Sequence, residues 1–206
     1  MRRVLLVGLL AGISCDGHKS TGPHVPQGVV VRDIDLPPAD APTMSVPTEG
    51  DPQLRMTMLQ PASRDDSLRV AQVVAVARAA TARFVDPAIA RAKGFVDASP
   101  AGDRSFRHLV DWSQMSGATF DPARPAALLY STRWQLLGVM YMAPADAPLD
   151  TLNARLPLGL VRWHQHVNWC VGAPRGLADP AACRAAGGRF VAHAYGWMAH
   201  LTFEHP

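Results

Sequence analysis

The sequence predicts an α+β fold in which N-terminal helices pack on a mostly antiparallel β-sheet. Three observations carry that expectation. The alanine-rich run over residues 67–84 has high helix propensity. ALLYST at 127–132 and QLLGVMYM at 135–142 are strand-like and stand at hairpin spacing. The helical segments come first and the strands follow mostly in sequence, an order that suits an antiparallel sheet with helices to one side. With 206 residues, 48% of them hydrophobic, the chain can bury one substantial core and carry appendages.

The first appendage is MRRVLLVGLLAGISC, two arginines followed by a short apolar run, which reads as a secretory signal over residues 1–14 rather than a membrane span. Its end at Cys15 resembles a bacterial lipobox, with the cysteine acylated as the first mature residue. Gly12 stands where a large aliphatic residue is usual, so cleavage nearby without lipidation is the competing reading. Asp16 resembles an inner-membrane retention signal. Residues 15–62, with seven prolines from Pro23 to Pro52, lack apolar periodicity and read as a tether spanning roughly 40 Å. Within it GVVVRDI, 28–34, is a short strand that could dock on the domain.

The folded domain is expected over residues 63–206. SRDD before LRVAQVVAVARAATARFV is a capped helix start, with Leu68, Val70, Val73, Val74, Ala77 and Ala80 as the apolar face. Asp86-Pro87 starts a second helix that Gly94 closes. Between the two hairpin strands Arg133-Trp134 is poor chemistry for a tight turn. Residues 149–156 form a short helix or turn, 158–170 a long strand, and Asp179-Pro180 opens a helix that Gly187-Gly188 ends. RFVAHAYGWMAHLTFE is a final strand or strand pair broken near Gly196.

Charge and motifs exclude several functions. Removing residues 1–14 takes away Arg2 and Arg3, so the formal charge falls from +3 to +1, and no dense basic stripe remains for nucleic acid. No phosphate-binding glycine loop, nucleophile elbow or HExxH helix occurs. Glutamate is limited to Glu49 and Glu204, so a general base would be a histidine or one of Asp97, Asp111 and Asp121.

The positive signal is RWHQHVNWC at 162–170. As a strand it sends Arg162, His164, His166, Asn168 and Cys170 to one side, aiming two imidazoles at one point as β-sheet metal sites do. His200, His193 or His108 could supply a third ligand and Glu204 a carboxylate, with Asn168, Arg162 and Asp111 as supporting groups. Imidazole-rich sites suit zinc or copper. Met140, Met142 and Met198 read as core, yet thioether beside imidazole also suits copper(I). Trp163, Trp169, Trp197, Tyr195 and Phe190 read as packing residues. The competing reading makes the histidines a hydrogen-bonded polar layer in an envelope interaction module or small-ligand binder. Export to an oxidising compartment favours a Cys170–Cys183 disulfide, worth about 3 kcal/mol by loop closure. The alternative makes Cys170 a thiolate ligand.

FDPARPAALLYSTRWQLLGVMYMAP, LPLGLVRWHQHVNWC and CRAAGGRFVAHAYGWMAHLTFE together resemble a family of secreted or lipid-anchored bacterial proteins whose function is not established. The matching positions are Asp121, Pro122, Pro125, Leu128, Leu129 and Tyr130, then Trp163, His164, His166, Asn168 and Cys170, then Gly196, Trp197, Met198 and His200. At His108 that family tends to have a histidine followed by asparagine, where this chain has Asp111 nearby. The resemblance implies an envelope location and no reaction. The expectation is therefore an envelope lipoprotein facing the periplasm or exterior, held to the membrane through Cys15, with an envelope protein as a possible partner and a His-x-His metal site.

Overall fold

A computed structural model describes residues 29–30, 45–48, 51–99, 106–173 and 176–203. Residues 1–14, Cys15, most of residues 15–62 and Glu204 lie outside the described residues, as do the expectations of a signal segment, an anchor and a tether that rest on them. Within the described residues the fold is α+β, as predicted. No described helix is long and apolar enough to cross a membrane.

Helix α1 (Arg64–Thr81) begins where the capping signal places it. The Ser63 hydroxyl accepts from the Asp66 amide while the Asp66 carboxylate accepts from the Ser63 amide. Donation to that carboxylate by the Ser63 amide foremost, and by the Ser63 hydroxyl as well, holds the Asp66 carboxyl below its ordinary range. Val70, Val74 and Ala77 face the core, whereas Leu68, expected on that face, is 58% exposed. Asp86 caps α2 (Pro87–Ala92), and Gly94 follows at φ +93°. Two more short helices, α3 (Leu149–Arg155) and α4 (Pro180–Ala185), lie where the sequence predicts them.

The strands are β1 (Val29–Val30), β2 (Ser45–Thr48), β3 (Asp51–Thr57), β4 (Val96–Asp97), β5 (Arg107–Val110), β6 (Ala127–Tyr130), β7 (Leu136–Ala143), β8 (His164–Val171), β9 (Arg189–His193) and β10 (Trp197–Phe203). All pairings are antiparallel, in the order β2-β3-β8-β10-β7-β6-β5-β4, with β1 beside β10 and β9 beside β8. β3 corrects the tether boundary. Leu54, Arg55 and Met56 pair with His166, Gln165 and His164, so the sheet recruits residues 51–57 from the segment assigned to the tether. Burial of Leu54 and Met56 stabilises that pairing despite Pro52 at the strand's start. β8 is also shorter than expected: residues 157–161 form a turn, with the Leu160 and Val161 amides donating to the Pro157 carbonyl, and the strand starts at His164.

The β6–β7 hairpin closes with Trp134 at φ +63°. The Ser131 hydroxyl accepts from the Arg133 and Gln135 amides, and the Arg91 and Arg107 guanidinium groups lie 4.3 and 4.8 Å from the Trp134 ring centre. These contacts offset the cost of a bulky residue in left-handed backbone.

Strand alternation separates two faces. Leu109, Leu128, Tyr130, Val139, Tyr141, Trp163, Trp197, Ala199 and Leu201 face α1 and Phe84 in the main core. Val110, Ala127, Leu129, Met140, Met142 and Met198 occupy the opposite face. That second face carries the histidines, and it is concave. His108 on β5 and His200 on β10 are three strand spacings apart, about 14 Å on a flat sheet, yet their ring centres are 5.3 Å apart. The sheet therefore curls around this face. Gly138 marks the tight bend: a Cβ there would collide with the Leu201 carbonyl and the Thr202 backbone of β10.

Candidate functional site

Four histidines meet on the concave face. Ring contacts run in file from His108 to His200 at 5.3 Å, His200 to His164 at 5.0 Å and His164 to His166 at 5.7 Å between centres. Three strands deliver them: β5 gives His108, β10 gives His200, and β8 gives His164 and His166 at i and i+2. These are the four residues that the sequence nominates as metal ligands. His193, the other candidate third ligand, is exposed on β9 and paired opposite Val167.

The site's electrostatics favour neutral imidazole. Burial first, and then the neighbouring His200, His166 and His108, hold His164 well below the ordinary imidazole pKa. Burial likewise pushes His200 down to about 3, helped by His108 and His166. At the strand positions of this face on β3, β5, β6, β7, β8 and β10, register places no Asp, Glu, Lys or Arg. His200 Nε2 is shut away from solvent and has no hydrogen-bond partner among the described residues. A neutral imidazole nitrogen of this kind is a competent metal donor. Among the described residues, however, no three His, Cys, Asp or Glu side chains form a group that could hold a metal ion.

Methionines interleave with these rings. Met56 pairs with His164, His164 with Met198, and Met198 with Met142, so a row of four side chains crosses β3, β8, β10 and β7. Met140 lies opposite His200. Met140, Met142 and Met198 are buried, as the sequence reading expects of core residues. Sequence reasoning missed Leu54 and Met56, because only their pairing to β8 reveals which face they share.

The five-residue alternation from Arg162 to Cys170 does not survive. Asn168 adopts φ +49°, which breaks the strand's two-residue period, and Trp169 rather than Asn168 reaches His166, at 5.4 Å between ring centres. Asn168 is exposed. Its Nδ2 donates to the Pro52 carbonyl, and its own carbonyl accepts from Gln53 Nε2. Its role is to fasten β3 to β8, not to support the histidines. Arg162 precedes the strand and is half-buried. Asp111 caps the turn after β5, its carboxylate accepting from the Ser113 amide and hydroxyl, so it is committed locally.

Cys170 forms the predicted disulfide with Cys183, joining β8 to α4 across a separation of 13 residues. Neither sulfur is then a thiolate ligand. Trp163 and Trp197 are core residues, whereas Tyr195 is 44% exposed beside the half-exposed Trp112.

Comparison with protein-family models, curated proteins and solved structures gives no match for this chain.

Proposed function

We propose that this chain is a metal-binding protein of the bacterial cell envelope, exported by its N-terminal segment and anchored through Cys15, whose site is the cluster of His108, His164, His166 and His200. The observation that supports the reading is the convergence of four imidazoles from three strands on one concave face, whose described strand positions carry no carboxylate. Such a set suits zinc or copper. If the bound metal is catalytic, activation of a water molecule is the simplest chemistry it would supply.

A second reading has its own support. The rings stand in file, and no three donors are grouped as a ready site among the described residues. On this reading the histidines are a buried polar layer, and the domain serves as an envelope interaction module or small-ligand binder.

Titration of the full-length exported protein with zinc and with copper separates the two. The metal reading expects one equivalent bound by the wild type and none by the His164→Ala/His166→Ala double variant, with circular dichroism retained. The polar-layer reading expects no uptake by either protein and a loss of stability on each single change.

A further inference from the structure

We infer that the ion taken by this face is monovalent copper, held by thioether sulfur together with imidazole nitrogen. The inference rests on the metal-binding reading above and chooses between its two metals.

Three observations lead to it. The first is register. Directly paired residues of an antiparallel sheet hold their Cβ atoms about 4.5–5.5 Å apart. His164 has Met56 on one side and Met198 on the other, Met142 follows in the same row, and His200 faces Met140. A thioether on an unbranched, three-bond side chain is therefore within reach of both imidazoles.

The second is the distribution of methionine. Buried residues of the helix-covered core include none, whereas Met140, Met142 and Met198 sit in the concave-face cluster and Met115 packs against it. Gap-filling alone gives no reason for thioethers to collect on the face that also carries the histidines.

The third is charge. Zinc and cupric ions bring two positive charges to a face whose described strand positions carry no carboxylate, and the cost of burying an ion grows with the square of its charge. A monovalent soft ion lowers that cost about fourfold and prefers sulfur and imidazole donors. It also explains why no three histidines are grouped around one point among the described residues: a site completed by methionine sulfur needs only one or two of them.

The test uses full-length, exported, metal-free protein with its disulfide intact. Cu(I), generated anaerobically with ascorbate, is titrated against bicinchoninate, and Zn(II) against a colorimetric zinc chelator. The expected result is one equivalent of Cu(I) withdrawn from bicinchoninate, with zinc bound far more weakly. Met56→Leu, Met198→Leu and Met142→Leu, made singly and together, keep the apolar volume. Together they should lower Cu(I) affinity by at least about tenfold, the scale on which even supporting partners of a metal site act. Copper-edge X-ray absorption of the wild type should show sulfur and nitrogen at bonding distance, a readout independent of how the variants fold. Zinc bound in preference to Cu(I), unchanged Cu(I) affinity in the triple variant, or an absorption spectrum without sulfur would overturn the inference while leaving the metal reading intact. Failure to bind either ion would overturn both.

Discussion

The two faces of this sheet are made by the same strands and yet solve different problems. On the helix-covered face, Leu, Val, Trp and Tyr side chains pack against α1 and Phe84, and Tyr130 satisfies its one polar group by donating to the Phe84 carbonyl. On the concave face, residues one position away along the same strands are Met and His. The first arrangement gains stability from apolar burial and close packing. The second buries imidazoles that must stay neutral, which costs free energy in any state where they would prefer to ionise. A chain that could have continued its apolar packing instead concentrates its titratable groups there, and that contrast locates the site.

Substitutions that remove packing from the helix-covered face should have the largest effect on stability. Trp163 is fully buried in that core, so Trp163→Ala is expected to cost about 3–5 kcal/mol. Denaturant unfolding measures it, and a cost below 1 kcal/mol would remove the distinction between the faces.

Loss of the disulfide comes next. The Cys170→Ser/Cys183→Ser variant should lose about 3 kcal/mol, yet retain the histidine cluster, because the bridge lies beyond the Asn168 irregularity on β8. Unfolding midpoints give the first quantity. Histidine side-chain NMR of the folded variant gives the second, and collapse of the cluster's signals would show that the two parts of β8 are not independent.

Acid should act selectively on the concave face. His164 and His200 have depressed pKa values in the folded protein, and His108 and His166 are among the groups that hold them down. Above the unfolded value near 6.5 both states are neutral and no penalty exists. As pH falls below about 6.5 the unfolded chain binds protons that the folded one refuses, so stability is lost. Each such histidine contributes a slope of about 1.4 kcal/mol per pH unit, until the folded group itself titrates, near pH 3 for His200. Metal-free protein should show this decline in denaturation series from pH 7 to pH 4, and His200→Gln should flatten it. A profile unchanged by that variant would mean that His200 is not held neutral by the fold.

Volume-conserving changes within the methionine row should be the mildest. Met142→Leu is expected to cost less than about 1.5 kcal/mol, and a larger loss by calorimetry would mark Met142 as a packing residue first.

Local rules explain which of these features the sequence reveals. Ser63 with Asp66, Asp86-Pro87 and Asp179-Pro180 announce helix starts through hydrogen bonds made within four residues, and each helix begins there. The i, i+2 spacing of His164 and His166 fixes their common face, and His200 and His108 follow as nominated partners. Long-range terms hide the rest. Nothing local in DPQLRMT distinguishes a strand from a proline-containing tether; its burial against β8 decides. The positive φ of Asn168 cannot be read from an alternating pattern, since it is fixed by bonds to Pro52 and Gln53 over one hundred residues away. Strand order and the bend at Gly138 bring His108 to His200, and neither is encoded by spacing.

Elemental analysis tests the central claim most directly. Full-length protein is exported to a periplasm with its disulfide formed, purified without chelators or a histidine tag, and compared with the His164→Ala/His166→Ala variant. The account predicts near one equivalent of copper or zinc in the wild type and none in the variant. A wild type that carries no metal as purified and takes up none on titration would contradict it, and would leave the four histidines as a buried polar layer.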